Sequence, residues 1–348
     1  MFQDLLAAVA RIAPVIREHA ATAEADRRLT GAAYAAMLDA GLFGMLAPKA
    51  YGGLEVHPTE AMRVWEAVAR IDSAAAWNLV MNQCISSYAA WLSPQGVREL
   101  FGNGPATTAG ALNPPAAATR VDGGWRITGR VPFGSGCHQA RWLAMPAIAH
   151  EGGRPKADAA TGQATPFAVF FPSDRARILD TWHTLGMRGT GSADYEVQDL
   201  FVPDHMTAPV GPLARPAPGF EGPLFRMWPW TCIMGETVVS VGAAAAAVDQ
   251  ALELCRAKTA AYNAVPLREQ QLPQFQLGKA KARVDASRDT LHAAAGEAYA
   301  EVEQTGRLLS REAKIRLQLA ACFAAETCAE AVRLVNDAVG ASAFRESQ

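Results

Sequence analysis

Residues 124–136 read GWRITGRVPFGSG, and residues 181–205 read TWHTLGMRGTGSADYEVQDLFVPDH. Each joins a β-rich run to a turn of glycine and small hydroxyl residues, a composition that lets backbone approach a ligand closely where a strand ends. Further short β-rich runs lie at 141–150 (RWLAMPAIAH), 166–172 (PFAVFFP), 176–182 (ARILDTW) and 195–203 (YEVQDLFVP), separated by Gly, Pro and Asp clusters. Residues 104–215 are therefore predicted to form a β domain of barrel or sandwich type. Within it, 150–166 (HEGGRPKADAATGQATP) has no periodicity and reads as a hairpin tip.

On the N-terminal side, apolar residues recur at intervals of three and four, as in Leu5, Leu6, Val9, Ile12 and later Met62, Trp65, Val68, Ala69. That is the stripe of a buried helical face, so residues 1–103 are predicted to be a helical domain. The stretch 40–60 (AGLFGMLAPKAYGGLEVHPTE) breaks the stripe with Gly and Pro and reads as a loop, with a helix restarting at Thr59. After a Pro/Gly-rich linker at 209–223, long helical patterns return at 235–262, 274–303 and 310–340. Three long helices need a bundle, here assigned to 216–348. The fold class is α+β: helical domain, β domain, helical bundle. The Ala-rich bundle faces allow close helix approach and point to a homotetramer or homodimer.

The composition excludes several function classes. Half of the 348 residues are hydrophobic and the formal net charge is -2, which fits neither a disordered chain nor a nucleic-acid binder. The six cysteines show no metal-ligand spacing, so no metal is expected and a reducing compartment fits. Asp4, Arg11 and Arg17 interrupt the first apolar stretch, unlike a signal peptide or membrane span, and the protein reads as cytoplasmic, with no membrane partner.

Four stretches, in collinear order, carry a family resemblance: 48–77 with its Tyr-Gly-Gly loop and Ala-Arg-x-Asp turn, 123–143, 181–205, and 266–291 (PLREQQLPQFQLGKAKARVDASRDTL). Together they cover nearly the whole chain, and the chain is identified as a member of the acyl-CoA dehydrogenase superfamily. The spellings PFGSGCHQARW and MRGTGS resemble its flavin-dependent monooxygenases, of the para-hydroxyphenylacetate hydroxylase and dibenzothiophene monooxygenase type, more than its fatty-acyl dehydrogenases.

The resemblance implies a reduced flavin, FMN or FAD, supplied by a separate flavin reductase, with O2 and an aromatic or other apolar small molecule as substrates. Ser135 is placed to donate a hydrogen bond near flavin N5, with Gly136 giving the ring room and Phe133 flanking it. A plain β-turn serine and a core aromatic are the alternatives. Thr190, Gly191 and Ser192 would present amides and hydroxyls to the flavin, or form only a turn. His138 is a candidate proton donor at the rim of the site, or a surface histidine. Arg268 is a candidate for a flavin phosphate, that of a neighbouring subunit included, or a surface arginine paired with Glu269.

Many of the oxygenases carry a histidine about where this chain reads Asn82-Gln83-Cys84, so Gln83 would serve there as a hydrogen-bonding residue only. Trp228 and Trp230 would help form an apolar substrate pocket, or plug the domain interface. The dehydrogenases place a catalytic glutamate near the position of Cys232. Glu236 lies one helical turn further on, about 6 Å along the axis, and is expected to be structural. The resemblance also implies a last helix beyond 340–348 (GASAFRESQ), absent from the predicted bundle, which would carry a glutamate in the dehydrogenases and often a histidine in the oxygenases. Two other functions stay open: an acyl-CoA dehydrogenase forming an α,β-double bond, and a non-catalytic flavin-binding or scaffold member.

Overall fold

The computed structural model describes residues 2–102, 104–111, 113–157, 162–209, 216–259 and 265–340. The expected domain junctions at 103 and 215, the centre of the 150–166 tip, part of the 209–223 linker and the end at 341–348 lie outside the described residues.

Five helices come first: α1 (Phe2–Asp26), α2 (Gly31–Asp39), α3 (Pro58–Ala69), α4 (Ser73–Ser86) and α5 (Pro94–Phe101). The loop expected at 40–60 contains two short 3-10 turns, and α3 begins at Pro58, where His57 Nδ1 accepts the Thr59 amide at 3.2 Å. The Ala-Arg-x-Asp turn has a local cause as well. The Asp72 carboxylate accepts the Ala75 amide at 2.6 Å and so caps the N-terminus of α4.

Among the described residues the strands are β1 (Thr108–Gly110), β2 (Ala116–Val121), β3 (Gly124–Val131), β4 (Trp142–Glu151), β5 (Arg154–Pro155), β6 (Phe167–Pro172), β7 (Arg177–Ile178), β8 (Tyr195–Pro203) and β9 (Thr207–Pro209). They form one mixed sheet in the order β7-β8-β3-β2-β4-β6-β9, with β1 and β5 also paired to β4. The β1–β4 and β2–β4 pairs are parallel and the others antiparallel. Sequence pattern missed β1 and β2 because Thr-Ala-Gly and Ala-Ala-Ala-Thr-Arg-Val have little strand propensity, and their extended state is set by pairing, of β1 with β4 and of β2 with β3 and β4. Small residues are required there: a Cβ on Gly129 of β3 would stand 2.5 Å from the Ala116 Cβ of β2.

A short α6 (Pro223–Arg226) leads into the bundle of α7 (Trp230–Ala257), α8 (Gln271–Thr305) and α9 (Arg311–Val339). The N-terminal helices and the bundle share a single hydrophobic core, while the sheet forms a second core with α5. Helix α4 runs between the two: Leu79 and Val80 lie in the first core, Ile85 in the second. Helix α7 is apolar and long enough to cross a membrane, but it packs inside the molecule against α3, α4, α8 and α9.

Two glycines set how closely α7 approaches the N-terminal helices. Gly235 and Gly242, two turns apart, sit on one face. A Cβ at Gly235 would lie 2.8 Å from the Val80 side chain, and one at Gly242 would lie 2.5 Å from the Ala69 Cβ. Arg288 of α8 adds a paired link to α3, its Nε donating at 2.9 and 3.0 Å to the two carboxylate oxygens of Glu66. Gly242→Ala is expected to lower stability by about 1–3 kcal/mol through overpacking. Gly278→Ala, on an exposed face of α8 where an added Cβ meets nothing within 4 Å, is expected to raise it by about 0.5–1 kcal/mol. Denaturation midpoints of the two variants, moving in opposite directions, check this; a rise in both would contradict the close approach.

Candidate active site

The turn at Phe133–Gly136 and the loop at Thr190–Ser192 meet at the end of the sheet, where α4 passes over them. The Ser135 and Ser192 hydroxyls are 2.8 Å apart, and the Thr190 and Ser192 hydroxyls 2.7 Å apart. At one end of this row the Trp77 indole N–H of α4 donates to Ser135 Oγ at 3.1 Å. At the other, the Thr190 hydroxyl donates to the Met187 carbonyl at 2.7 Å. The indole can only donate, the carbonyl can only accept, and each hydroxyl has one proton. The direction is therefore fixed: Trp77 to Ser135 to Ser192 to Thr190 to Met187. In this arrangement the Ser135 proton points to Ser192 rather than into the cleft, whereas the sequence expectation had it donating to a ligand. What the row offers a ligand is oxygen lone pairs.

The backbone is shaped to bring these oxygens forward. Phe133 has φ 62°, a left-handed conformation uncommon for an aromatic residue; the residue is 65% exposed, and its ring stands edge-on to Trp182 at 6.1 Å. At Gly136, φ is 76° and an added Cβ would lie 2.5 Å from Asn78 Oδ1, so only glycine fits. The Gly136 amide donates to the Thr190 carbonyl at 3.1 Å, tying the two loops together. The Trp182 indole donates to the same Met187 carbonyl that ends the hydroxyl row, at 3.1 Å.

Above the row lies a cleft of about 650 Å³. Ser135, Thr190 and Ser192 line it together with Phe133, Trp182 and Met187. Facing them are Trp77, Met81, Cys84 and Ile85 of α4, Tyr88, and Pro229, Cys232, Ile233 and Glu236 on α7 and just before it. The walls are mostly apolar, the setting in which a few placed polar groups fix a ligand's orientation. An apolar slot with three acceptor oxygens on one wall, two aromatic rings at its side and glycines beneath fits the isoalloxazine ring of a flavin, a planar ring with polar edges.

The other expected residues fall outside the lining. His138 stands behind Gly191, where an added Cβ would come within 3.2 Å of its ring. Burial, and then the charge of Arg28, push the His138 pKa below its ordinary value, with Asp180 opposing. The ring is thus neutral where a rim acid would need its proton. Gln83 is 1% exposed; its amide donates to the Leu42 carbonyl at 2.7 Å and accepts the Trp65 indole at 2.9 Å, which holds α4 against α3. The Trp228 ring packs edge-on against Tyr88 at 5.3 Å and Trp91 at 4.6 Å, behind the cleft wall, and Trp230 packs on the helical core. Pro229, between them, is the lining residue.

Arg268 lies on the surface, pairing with Glu269 at 3.4 Å and donating to the Arg256 carbonyl at 3.3 Å. Arg256 lies twenty residues beyond Glu236 on α7, about 30 Å along the helix, so Arg268 is remote from its own chain's cleft. Sequence reasoning missed Trp77, Cys84, Tyr88 and Cys232, and it gave Glu236 a structural role. Glu236 instead faces the cleft, and burial raises its pKa. An offset of one turn from a family position did not reveal which way that helical face turns.

Fold and site together define a class: a three-part protein of helical domain, mixed sheet and helical bundle whose parts close on one ring-binding cleft. The family models described as acyl-CoA dehydrogenase, N-terminal domain, and acyl-CoA dehydrogenase, C-terminal domain, match residues 1–93 and 234–348. An indole-3-acetate monooxygenase of Pseudomonas putida is 30% identical over 296 residues, covering 84% of this chain and 72% of the relative. An FADH(2)-dependent resorcinol hydroxylase, oxygenase component, of Rhizobium sp. is 29% identical over 369 residues, covering 97% and 84%. The structure of XiaF from Streptomyces sp. in complex with FADH2 and glycerol superposes with a TM-score of 0.90 at 25% identity, covering 100% of this chain and 87% of that one. The chain belongs to the acyl-CoA dehydrogenase family, and its relatives include flavin-dependent monooxygenases.

The lowered pKa of His138 has a consequence for stability. The unfolded chain takes up the proton near the ordinary histidine value of about 6.5, before the folded chain does. Stability therefore falls as pH drops below that value. His138→Gln removes this contribution, so the variant is expected to lose less stability than the parent between neutral pH and about pH 5. Melting temperatures of the two proteins across that range check it.

Proposed function

We propose that this protein is the oxygenase component of a two-component flavin monooxygenase acting on an aromatic or other apolar small molecule. The observation that carries the reading is the row of three hydroxyls at the floor of an apolar cleft, with Phe133 and Trp182 beside it. Ser135, Ser192 and Thr190 would accept from the edge of the ring, Phe133 and Trp182 would flank it, and Gly136 and Gly191 would leave room for backbone approach. Reduced FMN or FAD, when bound, supplies two electrons to O2, so that one oxygen atom enters the substrate and the other leaves as water. The chain's own part is to orient ring and substrate and to exclude water, which the apolar walls on α4 and α7 favour.

Relatives named for indole-3-acetate and for resorcinol support an aromatic substrate, and a relative named as an oxygenase component supports a separate flavin reductase as partner. The bundle presents exposed apolar side chains, Ile315, Leu319 and Phe323 on α9 and Leu272 and Phe275 on α8. Such a row is suited to burial against a second copy, as in a homodimer or homotetramer. Arg268 would then reach a neighbouring subunit's flavin phosphate. The cytoplasm, where a reductase could supply the flavin, is the proposed location.

One observation favours a second reading, an acyl-CoA dehydrogenase: the Glu236 carboxyl in the cleft. The protein with a flavin reductase, reduced flavin and isotopically labelled O2 is expected to place one labelled oxygen atom in an aromatic product and to leave an electron-accepting dye unreduced by acyl-CoA. Dye reduction without oxygen incorporation would overturn the assignment, and a chain that binds no flavin would be a scaffold. Ser135→Ala removes one acceptor from the row and strands the Trp77 indole. The expected result is flavin binding weakened about tenfold with the fold retained, read by flavin fluorescence and circular dichroism.

A further inference from the structure

Glu236 is the only charged side chain among the described residues that line the cleft; no lysine, arginine or histidine is among them. The remaining titratable groups there are Cys84, Cys232 and Tyr88, which surround it, and burial raises the pKa of both Cys84 and Tyr88. Cys84 and Tyr88 therefore stay neutral at physiological pH, and neither a thiol nor a phenol can neutralise a carboxylate. No hydrogen bond or ion pair to another described residue engages Glu236, and burial alone accounts for its shift. A half-buried carboxyl in an apolar setting gains from a hydrogen-bond donor and is strongly disfavoured by a second negative charge.

The carboxyl is carried by α7, whereas the hydroxyl row is carried by loops of the sheet. If the sheet side receives the ring of the flavin, the Glu236 side is left to substrate. Beyond Tyr88 the cleft adjoins a smaller apolar cavity of about 140 Å³, walled by Ile85, Tyr88, Ala111, Met145 and Phe167. The space on the substrate side is thus largely apolar, with Glu236 as its one carboxylate beside the Tyr88 hydroxyl and the Cys84 and Cys232 thiols.

Resting on the monooxygenase reading, we infer that Glu236 selects the substrate: it accepts a hydrogen bond from a hydroxyl or N–H on a neutral or cationic arene, and it rejects aromatic carboxylates. The relative named for indole-3-acetate acts on an aromatic acid, so this chain would differ from that relative in the charge it admits.

Three bicyclic arenes of matched shape test the inference without turnover: 2-naphthol carries the donor, 2-methoxynaphthalene lacks it, and 2-naphthoate carries the negative charge. Binding to the full-length protein, with and without flavin, is read by quenching of the fluorescence of Trp77 and Trp182, which line the cleft. The parent is expected to bind 2-naphthol about tenfold more tightly than either analogue, as a charge-assisted hydrogen bond provides. In Glu236→Gln the preference over 2-naphthoate should shrink about tenfold, and in Glu236→Leu the preference over 2-methoxynaphthalene should vanish. Equal binding of all three by the parent, or preferences unchanged in both variants, would overturn the role of Glu236. Absence of flavin binding by the parent would instead count against the monooxygenase reading, and the naphthol preferences would still decide the role of the carboxyl.

Discussion

The directed row of hydrogen bonds from the Trp77 indole through Ser135, Ser192 and Thr190 to the Met187 carbonyl is the link on which the site depends. It joins a helix of the N-terminal core to two loops of the sheet, elements far apart in the chain. Its ends are groups that cannot reverse roles, so the protons of all three hydroxyls are spoken for before any ligand arrives. A neighbouring polar chain buried in low dielectric strengthens its members, and its loss would leave several groups unpaired together. The cleft floor therefore presents acceptors on that side.

The opposite wall is set by a packing constraint. Gly235 and Gly242 let α7 approach α3 and α4 more closely than any larger residue would allow. That approach fixes the rotation of α7 and so turns Cys232, Ile233 and Glu236 toward the cleft. Gln83, bonded to Trp65 and Leu42, locks α4 in the same arrangement. The polar floor comes from the sheet and the apolar wall with its single carboxyl from the helices. A planar cofactor and an apolar substrate would meet between them.

Much of this architecture was legible in the chain. The three-and-four stripes marked the N-terminal helices and α7 to α9, and the β-rich runs marked β3, β4, β6, β7 and β8. The glycine and hydroxyl turns at 133–136 and 190–192 marked the loops that line the cleft. Strands β1 and β2 were not legible, because alanine, glycine and threonine become strands there through pairing with β4 and, for β2, with β3 as well. Three site expectations shifted for equally local reasons. Gln83 spends its amide on structure, His138 is turned behind Gly191, and the Trp228 and Trp230 rings pack around the cleft while Pro229 lines it.

By itself the sequence determined the helices and most of the strands and turns, because these follow from periodicity and local propensity, and its ordered motifs pointed to the family. Only the tertiary structure decided that two turns more than fifty residues apart share one row of hydroxyls, and in which direction its protons run. It also decided that Glu236 looks into the cleft rather than into the bundle. Both outcomes depend on how the elements are rotated and spaced against one another, which is fixed by contacts between distant residues such as Gly242 and Ala69 and is not encoded in any single stretch of chain.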